Sequence, residues 1–297
     1  MVKSGHLVVA GPCVSEFGWE LMEHQAYVRR LAKGAAAVVV CSTAGLEPLY
    51  ADMHPTYIPH TIKCARDGHK IRQNTLSNSA ELLRAQAAVQ ACCSEAKKRG
   101  QRVIRLDVSN SKQKPIPISE QVFIKYGNAS NASATFKLVV HARNRNDTGP
   151  CGGDNYSLDN WMQLLELLAT EGLISSRAQL ASIGMKDAAM ALPSTVDMRD
   201  LPLQQLMDIL AAADIVIGPS SGPMHLASLC GTPHFTWATD RHQSIIGKGN
   251  RERYMSYWNP LKTKARVMLH PKGQQPSPVA LAVAATKFWH DVIGARA

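Results

Sequence analysis

The sequence predicts an α/β protein made of two Rossmann-like domains, each with a doubly wound parallel sheet. Three observations carry that expectation. The chain opens on a strand, a glycine-bounded loop and a helix (His6–Ala10, Gly11–Gly18, Trp19–Lys33), which is how a doubly wound sheet begins. The same alternation starts afresh at Phe136, after a polar stretch. Its strands are short β-branched runs such as Ile215–Ile217, of the kind a parallel sheet buries on both faces. A chain of 297 residues, 45% of them hydrophobic, has room for two cores at roughly 100–200 residues each.

In the first half, strands are expected at His6–Ala10, Ala36–Cys41, Tyr57–Ile62 and Arg102–Val108. Asn78 and Glu81 have the spacing of a capping box opening a helix that runs to Arg99 and stops at Gly100. From Ser109 to Ser133 the pattern breaks into Ser, Asn, Lys and Pro, with one short apolar run at Val122–Ile124, and reads as a linker. This sets domains at 1–133, 134–276 and a terminal helix at 277–297.

The second half reads as a strand at Phe136–His141, an Arg- and Gly-rich loop carrying Arg143 and Arg145, and a helix at Asp159–Thr170. A strand at Ala181–Met185 and a loop at Val196–Asp200 follow. Pro202 then starts a helix with Leu203, Leu206, Met207 and Leu210 on one face. The next stretch is the most informative in the chain. Ile215–Ile217 is a strand, Gly218-Pro-Ser-Ser-Gly222 a turn, Pro223 a first helical residue, Gly231 a stop, and Phe235–Trp237 another strand. Turn amides, the Ser220 and Ser221 hydroxyls and a helix N-terminus converge there on any bound anion. Beyond Trp237 the chain is basic with interleaved aromatics (Arg251, Arg253, Tyr254, Tyr257, Trp258), and Pro278–Ile293 is an amphipathic helix.

Composition narrows the class. Neither the dinucleotide nor the P-loop fingerprint is present, and the cysteines form no metal spacing, so no metal is expected. No run approaches a membrane span, and the chain reads as cytoplasmic, with its seven cysteines reduced. The N-x-[ST] matches Asn128–Ser130, Asn131–Ser133 and Asn146–Thr148 carry no meaning without secretion. The net charge of +10 favours a polyanionic partner. Seven basic residues between Lys97 and Lys114 face one acid, and eight between Arg241 and Lys272 face one acid.

Ser220-Ser-Gly-Pro-Met-His-Leu-Ala227 with Gly231-Thr-Pro233 resembles the corresponding turn of the heptosyltransferase-like (family 9) glycosyltransferases. The resemblance covers the chain from about Phe136. It implies a GT-B fold, two Rossmann-like domains flanking a cleft, with a C-terminal helix that crosses back onto the first domain. It also implies a nucleotide-sugar donor held by the second domain. Two departures stand out: Pro219-Ser220 occupies the place where the family turn often has an acid, and Phe17-Gly-Trp-Glu-Leu21 is unlike the family's usual start.

The expected activity is therefore a metal-independent glycosyltransferase. Glu16, just beyond the carboxyl end of the first strand, would be the base on an acceptor hydroxyl, with Glu20 of the first helical turn in reserve. Arg143, Arg145, Gly218, Ser220, Ser221, Gly222 and His225 would hold the donor's diphosphate, with Trp237 and Asp240 near the nucleotide or sugar. Gly18, Trp19, Arg251, Arg253, Tyr254 and Trp258 would meet the acceptor. Charge interleaved with aromatics favours a hydroxymethyl pyrimidine in DNA, with a surface or lipopolysaccharide-type glycan as the alternative. A non-catalytic nucleic-acid-binding protein on the same scaffold is the reading from another class. Beyond the nucleotide-sugar, whose base could be uridine, guanosine or adenosine, no cofactor is expected.

Overall fold

The computed structural model describes residues 5–62, 80–106, 117–145, 155–240 and 250–293. The chain forms two compact units, Met1–Phe123 and Ile124–Ala297. In the first, β1 (Leu7–Ala10), β2 (Ala37–Thr43), β3 (Thr56–His60) and β4 (Val103–Leu106) make a parallel sheet in the order β3-β2-β1-β4. β1 is interior and apolar at every position, so all four of its residues are buried. After a loop the chain turns helical at Phe17–Trp19, widens into a π-helical turn at Glu20–His24 and continues as α1 (Gln25–Ala32). Helix α2 (Ala80–Lys98) sets Leu82, Ala85, Val89, Cys93 and Ala96, at three- and four-residue spacing, against Leu7, Val9, Val39 and Cys41.

In the second unit six parallel strands run β10-β9-β8-β5-β6-β7. They are β5 (Leu138–Val140), β6 (Leu180–Gly184), β7 (Val196–Arg199), β8 (Ile215–Pro219), β9 (His234–Thr239) and β10 (Ala265–His270). The helices are α3 (Leu158–Thr170), α4 (Leu203–Ala212), α5 (Gly222–Cys230) and α6 (Pro278–Ile293). Trp161, Leu164 and Leu168 of α3 and Leu281, Ala285 and Phe288 of α6 join Leu138, Ile217, Phe235 and Trp237 in one core. Because side chains alternate along a strand, His234 and Thr236 point to the other face of β9.

Four expectations change. The unit boundary falls at Phe123, not at 133, because the chain just after it is already fixed to the second unit. Tyr126 N–H donates to Leu229 O (2.9 Å), and Asn128 N–H to the Asp208 carboxylate (2.8 Å). Val196–Arg199, expected as loop, is the edge strand β7, paired with β6 along one side only. β10 went unread, since its basic and polar residues mask a short apolar run. The terminal helix, expected on the first domain, places its apolar side in the second unit's own core. Asn78, Asp107–Val108, Lys112, Lys114, Cys64, Cys151, the Asn146–Thr148 site, Arg241 and Lys248 lie outside the described residues. Glu81 is described, and its carboxylate takes the Thr61 N–H and hydroxyl. Cys41, Cys92, Cys93 and Cys230 are free thiols, and Cys13 forms no disulfide.

Candidate active site

Ligands of an open parallel sheet collect beyond the carboxyl ends of its strands, where the strand order reverses. In the second unit the chain proceeds β5, β6, β7 to one side and β8, β9, β10 to the other. The reversal therefore lies between β5 and β8, whose carboxyl ends lead into His141–Arg145 and Ser220–Gly222.

The turn after β8 is built by close approach. A Cβ on Gly218 would stand 3.0 Å from His141 O and 3.1 Å from the Met224 sulfur, so only glycine lets β8 and β5 meet there without displacing a neighbour. Ser220 N–H donates to Trp237 O (2.8 Å). Ser221 is extended at the N-cap of α5, and its hydroxyl does not cap the helix. It bonds instead to His141 Nδ1 across the reversal point, at 2.9 Å. The amides of Ser221 and Gly222 stand at the open end of the helix, where intrahelical acceptors are lacking. Ser220 Oγ accepts from the Tyr254 hydroxyl (2.6 Å). Both serines of the turn are thus held by ring side chains from other parts of the unit.

His141 is buried, and burial, then Arg143 and Arg145, lower its pKa to about 3. It is neutral at physiological pH. Its ring fits beside Gly184, where φ is +123° and a Cβ would lie 3.0 Å from His141 Cδ2. His141 went unread in the sequence; its signal is a polar residue closing an apolar strand at the ligand edge.

Several of the expected ligands are buried in packed side-chain clusters. His225 is buried and stacked on Trp258, with ring centroids 4.4 Å apart, and on Tyr254 at 5.3 Å. Burial, then His234 and Arg253, lower its pKa to about 3. Tyr254 is fully buried and Trp258 nearly so, so neither offers a face to an acceptor base. Both belong to a packed column in which Arg253 lies 4.9 Å from the Trp258 ring centroid. Trp237 sits in the core between Tyr156 and Trp161 (5.4 and 5.3 Å), because odd positions of β9 face α3. Arg143 is 3% exposed, whereas Arg145 is half-buried, its backbone paired with Asn155. Asp240 is exposed just beyond β9, and Arg251 is exposed.

In the first unit the order reverses between β1 and β4, above which lies the loop Gly11–Glu16. Gly11 has φ +107°, and a Cβ there would be 2.2 Å from Cys41 O. Cys13 anchors the loop: its N–H donates to Cys41 O (2.8 Å), its carbonyl accepts from His60 Nε2 (2.8 Å), and its sulfur lies 3.3 Å from Ser15 Oγ. Glu16 is half-buried, and its carboxylate does not cap the helix it precedes. Gly18 and Trp19 are half-buried beside it. Glu20, which opens the π-helical turn, is fully buried. Its Oε1 accepts from Ser42 and from the Tyr50 hydroxyl (2.7 Å). Burial raises its pKa to about 7 against the pull of Ser42, Tyr50 and Cys13.

Among the described residues no group of three or more His, Cys, Asp or Glu could hold a metal ion, and no helix is long and apolar enough to cross a membrane. No protein-family model and no curated protein matches the sequence. Solved structures do. The glycosyl transferase family 9 protein from Veillonella parvula DSM 2008 aligns with a TM-score of 0.58 at 12% identity, over 98% of this chain and 99% of that one. The E. coli ADP-heptose lps heptosyltransferase II gives 0.56 at 16% identity, over 98% and 100%. E. coli heptosyltransferase WaaC with ADP gives 0.53 at 13%, over 95% and 99%. The likeness is one of fold: two parallel α/β sheets of the GT-B type.

Proposed function

We propose that this chain is a glycosyltransferase that moves a sugar from a nucleotide-sugar donor to a hydroxyl of an anionic acceptor. The observation that carries the reading is the Ser221–His141 bond across the strand reversal, which holds a serine-rich turn open at a helix N-terminus. Such a turn suits the diphosphate of a departing nucleotide. A nucleoside diphosphate is named for two of the proteins that share the fold, one described with ADP and one as an ADP-heptose heptosyltransferase.

In this scheme Glu16 takes the acceptor's hydroxyl proton as its oxygen bonds the anomeric carbon. The bond from that carbon to the diphosphate breaks, leaving its electron pair on the phosphate oxygen. The amides of Ser221 and Gly222 and the Ser220 hydroxyl meet that charge, and Arg145 and Arg143 add positive potential. His225, Tyr254 and Trp258 support the turn from within. For the acceptor we favour an anionic saccharide over a DNA base, because Tyr254 and Trp258, which supported base stacking, are buried. The exposed Lys97, Lys98, Arg99, Arg102 and Arg105 still suit a negative partner.

Thermal shifts with adenosine, uridine, guanosine and cytidine diphosphate sugars test the reading. One of them at about 100-fold over its Kd stabilises by about 2.7 kcal/mol, a rise of at least about 4 °C. No shift with any of them would sink the donor assignment and favour the non-catalytic nucleic-acid binder. With the active donor, Glu16→Gln keeps the shift and loses at least about 10²-fold in turnover. Acceptor affinity falling steeply with salt would instead return the acceptor to DNA.

A further inference from the structure

Glu20 is a charged residue type placed where nothing solvates it. It begins the π-helical turn Glu20–His24, an irregularity that often marks function. Groups from every neighbouring element face its carboxyl: Cys13 from the loop after β1, Ser42 from β2, Tyr50 from the turn that follows, and Tyr57 from β3. From its own turn, His24 stands edge-on to Tyr50 at 6.3 Å and is kept neutral by burial. Among the described residues Glu20 Oε2 has no hydrogen-bond partner. A carboxyl supplied with donors on one oxygen only is a poor stabiliser of a core, and an apolar residue would fill the space at less cost.

What Glu20 does reach is the loop that carries Glu16: its backbone N–H donates to Glu16 O at 3.1 Å. Its carboxyl takes the Ser42 and Tyr50 hydroxyls, which tie that end of the loop to β2 and to the turn beyond it. The other end is held at Cys13 by Cys41 O and the His60 ring. We propose that Glu20 is a positioning residue whose buried carboxyl fixes the Gly11–Glu16 loop, and with it the direction in which Glu16 meets an acceptor hydroxyl. The inference rests on the reading of Glu16 as the base.

The test compares Glu20→Gln and Glu20→Ala with the wild-type full-length chain by hydrogen exchange and by steady-state kinetics. Exchange at residues 11–16 rises about tenfold in Glu20→Gln, the factor for one lost hydrogen bond, and further in Glu20→Ala. Exchange at 215–230 stays unchanged. Turnover falls at least about tenfold at unchanged donor KM, with Gln the milder change; a merely structural residue would not split kcat from KM in this way. Unchanged protection of 11–16 overturns the proposal, and so does equal loosening of both units. Should Glu20→Ala fail to fold, Glu20→Gln carries the same readouts. Loosening confined to 11–16 in a chain that transfers no sugar would retire the Glu16 reading and leave the fixing of the loop standing.

Discussion

Ser221 directs its hydroxyl to a histidine 80 residues earlier and leaves its own helix uncapped, which marks the pair His141–Ser221 as the device that shapes the turn. The two side chains then act as one unit. His141→Ala and Ser221→Ala should each weaken donor binding about tenfold, and the double substitution should cost little more than either alone. Isothermal titration of the four proteins gives that cycle, and additive losses would dissolve the pairing. At this scale the sequence was legible where chemistry is local. The turn Gly218–Gly222 could be singled out because glycine, proline and hydroxyl residues announce the step from a strand to a helix N-terminus. Long-range partners could not: nothing in the local pattern says that His141 reaches Ser221 or that Trp237 faces inward. The latter depends on which side of β9 the helices cover.

Among elements of the second unit, the central strands were readable and the edge strands were not. β1, β5 and β8 are covered on both faces and are apolar throughout, whereas β7 and β10 are edge strands whose Asp197, Arg199 and Arg266 interrupt the apolar run. The π-helical turn Arg253–Tyr257 follows no familiar period, so its buried aromatics read as a binding surface. The connection into the second unit also hid its role. Gly127 has φ +74°, and a Cβ there would meet Met207 O of α4 at 2.2 Å. Gly127→Ala combines a left-handed backbone with a collision against helix backbone, and should destabilise by at least about 2 kcal/mol. Urea unfolding measures this, and a loss below about 0.5 kcal/mol would mean that the segment does not dock on α4.

At the scale of the molecule, pH behaviour follows from opposing groups. His24, His141, His225 and His234 are buried neutral, with pKa values lowered to about 3 or 4 by burial. Unfolded, they bind protons near pH 6.5. Their contribution is therefore present above pH 6.5 and is lost as pH falls below it. Glu20 has the opposite sign: raised to about 7, it favours the folded state below pH 4.5 and loses that contribution as pH rises towards 7. Four groups outweigh one, so the urea midpoint should climb from pH 4.5 to 6.5 and climb more steeply in Glu20→Gln. A flat profile would mean that the histidines are solvated. The tie between Tyr254 and Ser220 has a consequence of its own, since it joins residues 34 apart in the chain. The turn after β8 and the Arg253–Trp258 column are joined by that bond, so thermodynamic reciprocity applies to any two ligands they take. If an anion at the turn tightens a ligand at the column by some factor, that ligand tightens the anion by the same factor.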